Sequence, residues 1–418
     1  MIKLRLLMPI LVLNSIQPGR TNSSTQCLIW CNFGPAVQTP DGCLCGIKMN
    51  GLERGPFDAF MGIPFAEPPV GRLRFSNPLP LDPWEGYLNV SAPKPICIQK
   101  YDFYLGATVH GQEDCLYLNV YRPKSANDKP LPVMVFIHGG GYIGLSARPS
   151  LYGPEKFMDN RKVILVTIQY RLGALGFLST DDRSAPGNFG LKDQALALQW
   201  VQRSIGSFGG DPRKVTIFGQ GAGASSVQFH MMSPLSKGLF AKAISQSGSA
   251  LSYWNEAYPD QLGLARRLAL ATGVDEAENI NSWQLVNALR KVDATRLVNS
   301  VDELKIWHNQ PIILFRPVVE KYVDKETFLD EDPKVLWSRG RYQKVPWMTG
   351  YLPAEGMALM QAIYTNSTLL QQLLANQQHL VPLLTGIPQT VVSDRYFGGT
   401  PISSANAIGL TRVGIEIP

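Results

Sequence analysis

Short apolar runs rich in β-branched and aromatic residues recur at positions 133–137, 163–168, 215–218 and 241–245, each bounded by polar or glycine-containing turns. Between them lie stretches with helical periodicity. One of these, 191–205, places Leu191, Ala195, Leu198, Val201 and Ile205 on a single face, which predicts a helix buried along one side. Strand-like and helical segments in alternation predict an α/β fold with a parallel-rich sheet covered on both faces. From 259 to 314 the pattern becomes helical and charge-bearing, the character expected of a cap. Trp254 and Trp283, near the start and middle of that region, are expected to be core residues.

The turn after the 215–218 run reads Phe218-Gly219-Gln220-Gly221-Ala222-Gly223, and a helical pattern follows from Ala222. Its frame is that of the GxSxG nucleophile elbow, with glycine at the position of the serine. Taken alone, GxGxG is equally compatible with an ordinary glycine-rich turn or a phosphate-binding loop. A second turn narrows the choice. The strand-like run ending at His138 leads into Gly139-Gly140-Gly141-Tyr142, an HGGG-type sequence whose backbone N–H groups can stabilise an oxyanion.

Four further segments carry a family resemblance: FMGIPFAEPPVGRLRF (60–75), EDCLYLNV (113–120), YRLGALGFLS (170–179) and GNFGLKDQALALQWVQRSIGSFGGDP (187–212). With the two glycine turns, the chain resembles the type-B carboxylesterases over nearly its whole length. This family also holds cholinesterases, juvenile hormone esterases and non-catalytic adhesion relatives. The resemblance implies an α/β-hydrolase fold, with a large, mixed, mostly parallel sheet, and a single catalytic-type domain over 21–418. It also implies oxyanion donors at the backbone N–H groups of Gly140, Gly141 and Ala222, an acyl pocket at Trp254 and a triad acid at Glu355. Arg74 and Glu113 match a buried ion pair of the family, and Cys97 and Cys115 match one of its disulfides.

Two triad members are missing from the pattern. Gly221 has no side chain and cannot form an acyl-enzyme; losing a nucleophilic serine costs about 10⁶-fold in rate, or about 8 kcal/mol. The family histidine is expected in an HG segment further on, and the chain ends at Pro418 without one, so its carboxyl end reads as truncated. His110, His138, His230, His308 and His379 read as surface or packing residues. His230, for example, lies about 13 Å along the helix from Gly221. Ser225 and Ser226 fall about one helical turn beyond the apex and read as packed or capping hydroxyls. Gln220 stands where active relatives place glutamate, which removes a negative charge. The loop between Cys97 and Cys115 has no tryptophan, so a choline-ester substrate is disfavoured.

Lys3 and Arg5 precede an apolar stretch over 6–13 and polar residues over 17–26, a secretory signal pattern covering about 1–20. No later run reaches the ~20 apolar residues of a membrane span. Cys27, Cys31, Cys43 and Cys45 allow three disulfide pairings, with a zinc site as the alternative reading. Asn22, Asn89 and Asn366 head glycosylation sequons. The net charge of +6 over 418 residues is dispersed and gives nucleic-acid binding no support. No metal or cofactor motif stands out. These features predict a secreted carboxylesterase homologue that is catalytically inactive and binds a small hydrophobic ester, a carboxylic acid or an extracellular protein partner. The alternatives are an active serine ester hydrolase, carboxylesterase or juvenile hormone esterase-like, if Gly221 and the short end are sequence errors, and a non-functional truncated product.

Overall fold

The computed structural model describes residues 23–412, apart from 33, 102–107, 125–128 and 354. The signal pattern and the Asn22 sequon lie outside the described residues. Eleven strands occur among those described: β1 (Ala36–Gln38), β2 (Cys43–Cys45), β3 (Ile47–Asn50), β4 (Pro56–Pro64), β5 (Tyr87–Asn89), β6 (Tyr117–Pro123), β7 (Leu131–Ile137), β8 (Ile164–Ile168), β9 (Gly210–Gln220), β10 (Lys242–Gln246) and β11 (Trp347–Gly350).

Eight of them form the main sheet in the order β11-β10-β9-β7-β8-β6-β4-β3. The five strands from β8 to β11 in that order are mutually parallel, and β6, β4 and β3 continue the sheet antiparallel. The central strands are apolar because both their faces are covered: Val133, Val135, Ile137, Ile164, Val166, Ile168, Val215 and Ile217 are all fully buried. β11, at one edge, is mostly exposed.

The Phe189–Ser204 helix departs from the single-face expectation. Leu191, Ala195, Leu198 and Val201 are buried, but so are Lys192, Asp193, Gln194 and Trp200 on its other sides. Buried charge demands a partner, and here each has one. Asp193 receives a forked pair of bonds from Arg171 at 2.8 and 2.6 Å, and Lys192 Nζ lies 2.7 Å from Glu320. Periodicity failed to register this because it counts apolar positions and takes charge as a mark of solvent.

A separate three-stranded sheet, β1-β2-β5, packs with the Ser23–Trp30 helix. Two disulfides join them, Cys27–Cys43 and Cys31–Cys45, so these cysteines form bridges and not the zinc site held open above. Cys27 and Cys31 are one helical turn apart, and Cys43 and Cys45 sit on the same side of a strand. Those spacings were a readable signal that each pair faces one way; the relative direction of helix and strand selects the pairing. Cys97–Cys115 is the third bridge.

The 259–314 region contains the Gln261–Ala271, Ser282–Lys291 and Ala294–Ser300 helices. Trp283, expected in the core, is instead 65% exposed near the start of the second of them. Four helices between Met357 and Phe397 build a smaller hydrophobic cluster of their own. It is tied to the rest by Tyr253 donating to the Leu384 carbonyl at 2.6 Å and Trp307 Nε1 donating to Gln372 Oε1 at 2.8 Å.

Candidate active-site cleft

β9 ends at Gln220 and the next helix, Ala222–Met232, begins two residues later, so the whole reversal falls on Gly221. Its backbone sits at φ 58°, ψ −120°, a conformation that L side chains rarely adopt. The Gly221 N–H donates to the Gln246 carbonyl at 2.9 Å, and its own carbonyl accepts from Ser225 N at 3.0 Å. The apex is therefore pinned to β10 on one side and to its own helix on the other.

The three glycines of the turn are glycine for different reasons. A Cβ at Gly219 would lie 2.6 Å from the Ile137 carbonyl oxygen, and a Cβ at Gly223 would collide with that same atom. Gly223 is required by the close passage of the end of β7, and Gly219 by that strand end together with the Gly223 carbonyl, whose carbon and oxygen lie 2.5 and 2.6 Å from its Cβ position. A Cβ at Gly221 would meet nothing within 4 Å. The apex thus faces open space that a side chain could occupy.

The HGGG loop closes against this turn. A Cβ at Gly139 would lie 2.5 Å from the Gln220 carbonyl oxygen, and Gly140 and Gly141 both adopt positive φ. Among the described residues, none of the N–H groups of Gly140, Gly141 and Ala222 donates to a protein acceptor. Ala222 opens its helix, so its N–H has no intrahelical partner and sits at the positive end of the helix dipole. Such groups can donate to a carbonyl or carboxylate oxygen.

Apolar side chains adjoin the donors. The Ile313 side chain approaches within 3.1 Å of where a Gly141 Cβ would stand. Sequence reading missed Ile313, since no motif marks it. Half-buried Trp254 packs at 6.3 Å, ring to ring, from fully buried Tyr142, which follows the HGGG glycines. Glu355 lies just past the end of β11, where its Oε1 accepts from Leu352 N at 2.7 Å. β11 runs parallel beside β10, and β10 beside β9, which brings Glu355 and Gly221 to the same end of the sheet.

The histidines are occupied elsewhere. His138 is fully buried, stacks on Tyr170 at 4.4 Å, and burial lowers its pKa to about 4. His230 is bonded to Ser236 Oγ at 2.6 Å and Gln194 Oε1 at 2.9 Å, and burial lowers its pKa to about 3. Both are neutral packing residues. His110 lies 2.8 Å from Thr108 Oγ1, His308 occupies a turn with φ 51°, and His379 is an exposed helical residue. Ser225 and Ser226 are buried and bonded to the carbonyls of Ser249 and Ala222. Arg74 and Glu113 form a forked pair with both distances 2.6 Å. Arg74 also caps the carbonyls of Leu289 and Val292 at 3.1 and 2.5 Å.

Residues 34–392 match the carboxylesterase family model. The chain belongs to the carboxylesterase family. Its main sheet and flanking helices are those of the α/β-hydrolase fold, and its solved neighbours agree. The juvenile hormone esterase of Manduca sexta, solved with OTFP covalently attached, superposes with a TM-score of 0.76 at 30% identity, covering 90% of this chain and 72% of that one. Among curated members of the family, the juvenile hormone esterase of Tribolium castaneum is 41% identical over 388 residues, 89% of this chain and 65% of the relative. Venom carboxylesterase-6 of Apis mellifera is 36% identical over 87% of this chain and 64% of its own length. The chain therefore spans about two thirds of the length of these relatives.

Proposed function

We propose that this protein is a secreted, catalytically silent carboxylesterase homologue whose Gly221 cleft binds a small hydrophobic ester or the corresponding carboxylic acid. One observation carries the reading: Gly221 stands at the apex of an elbow, facing space that a side chain could fill, and presents none. With no nucleophile at the apex, a bound ester has nothing to acylate. The N–H groups of Gly140, Gly141 and Ala222 remain as donors to the ligand oxygen, with Ile313 and Trp254 as apolar walls and Glu355 as the silent counterpart of a triad acid. An anion gains further from the helix start at Ala222 and from the neutral side chain of Gln220. Secretion is supported by three disulfides, which persist in oxidising compartments, and by the signal pattern of the sequence. No helix among the described residues is long and apolar enough to cross a membrane. Asn89 and Asn366 are exposed and open to glycosylation.

The competing reading is an active serine hydrolase with serine at position 221. It is favoured by the same open space, which would accept a hydroxymethyl group, and by the names of the relatives, which are esterases. The test is short-chain ester hydrolysis, fluorophosphonate labelling and decanoate calorimetry on the purified chain. The comparator is a Gly221→Ser chimera carrying the carboxyl-terminal third of the Tribolium castaneum enzyme. The expected result is decanoate binding without turnover or label in the native chain, and both activities in the chimera. Stoichiometric labelling of the native chain would overturn the proposal.

A further inference from the structure

The two apolar walls of the cleft are carried by chain with little regular structure. Ile313, whose side chain stands beside Gly141, lies in a segment that is neither helix nor strand. Trp254, which packs near Tyr142, lies in the single 3₁₀ turn Tyr253–Asn255. Among the described residues, no backbone N–H or carbonyl from 311 to 317 bonds to another backbone group. Leu314 and Phe315, each 2% exposed, anchor the segment by burial. Apolar packing is non-directional, so it sets how deep the segment sits and not where Ile313 stands relative to Trp254.

Arg316 supplies the directional link. Its Nε donates to the Ile313 carbonyl at 2.6 Å, and its Nη1 donates to the Glu256 carbonyl at 3.0 Å. The first bond closes the turn that carries Ile313. The second ties that turn to Glu256, the residue that ends the Trp254 turn, 60 positions earlier in the chain. The Glu256 carboxylate is engaged elsewhere, 2.5 Å from Lys334 Nζ, so Arg316 holds the Glu256 backbone and not its mobile side chain.

A guanidinium suits this place. Its planar fork offers five N–H groups in fixed directions, so acceptors on two separate segments can be held at once. A lysine ammonium is a single point of charge on a flexible stem. The gap that the link maintains is narrow, since Ile313 already lies within 3.1 Å of a Gly141 Cβ position.

Taking the cleft to hold a hydrophobic acid or ester, as above, we propose that Arg316 is a positioning residue that sets the width of the cleft by fixing Ile313 relative to Trp254, and so selects slender apolar chains over bulky ones. The test is calorimetry on the whole chain with decanoate and adamantane-1-carboxylate. In the native chain decanoate is expected to bind about tenfold more tightly or better, a discrimination of the size that the shape of an apolar pocket provides. Arg316→Lys keeps the charge and loses the fork, and it should lower that ratio about fivefold, decanoate weakening while the bulky acid gains. Arg316→Gln, which also removes the charge, should lower the ratio by a similar factor. Ile313→Ala removes the wall itself and should lower the ratio too; adding Arg316→Lys to it should change the ratio by less than about twofold, because both act through one wall. A purely structural role would reduce the folded fraction and weaken both acids alike, leaving the ratio where it was. If Arg316→Gln does not fold, Arg316→Lys still decides, with circular dichroism confirming its fold. A native ratio near one, an unchanged ratio in Arg316→Lys, or independent effects of Arg316→Lys and Ile313→Ala would each overturn the proposal and leave the ligand reading of the cleft standing. Binding of neither acid by the native chain would overturn that reading, and the proposal with it.

Discussion

Replacing Gly221 by alanine separates the two reasons for a glycine in a tight turn. At φ 58°, ψ −120°, an L residue carries about 1–3 kcal/mol of backbone strain. Restricting the unfolded chain returns about 0.4–1 kcal/mol, leaving a net loss between about zero and 2.6 kcal/mol. No steric cost is added, because a Cβ there meets nothing within 4 Å. Taking about 2.1 cal/mol/K per residue over 418 residues, the unfolding entropy is about 0.9 kcal/mol/K. The expected fall in Tm is therefore at most about 3 °C, and Gly221→Ser should match Gly221→Ala. Gly223→Ala is the contrasting case. Its Cβ would collide with the Ile137 carbonyl and come within 2.9 Å of the His138 carbonyl, both backbone atoms that cannot swing aside. That variant is expected to lose several kcal/mol or fail to fold. Differential scanning calorimetry on the three variants settles the matter. The reasoning is refuted if Gly221→Ala is as damaging as Gly223→Ala, or if Gly221→Ala raises Tm.

Further outcomes follow from buried charge and covalent links. His138 and His230 have pKa values pushed below 6.5 to about 4 and about 3, so the native state binds fewer protons than the unfolded chain. Their contribution is complete above pH 6.5 and is lost as pH falls toward 4 and then 3, at up to about 1.4 kcal/mol per pH unit for each. Urea midpoints measured from pH 7 to 4 should show this slope, and a His230→Gln variant should show a shallower one. Glu113→Gln leaves Arg74 buried without a countercharge and should cost about 3–5 kcal/mol. Because Arg74 also caps Leu289 and Val292, faster hydrogen exchange in the Ser282–Lys291 helix should accompany that loss. Non-reducing peptide mapping should recover Cys27 with Cys43 and Cys31 with Cys45. Removing either bridge as a double alanine variant should cost about 3 kcal/mol, and recovery of Cys27 with Cys31 would contradict the fold.

Features written in short stretches of chain were legible without coordinates. The 215–218 run, a glycine turn and a helical pattern from Ala222 specify strand, turn and helix through local propensity, and they appear as β9 and the Ala222–Met232 helix. The absence of a side chain at Gly221 is a property of the sequence alone. Tertiary structure decided whatever depends on which distant segments pass one another. Gly219, Gly221 and Gly223 are identical letters, and the end of β7, with the Gly223 backbone also crowding Gly219, makes two of them obligatory and leaves the third facing space. Ile313 reaches Gly141 from far along the chain, with no local pattern to announce it. Lys192 and Asp193 read as a solvent-facing stripe until Glu320 and Arg171 are brought against them. Trp254 is packed and Trp283 exposed, although both are tryptophans in one region. Propensity and periodicity act over a turn or two of chain; crowding, desolvation and charge pairing act through space, and only folding creates those neighbours.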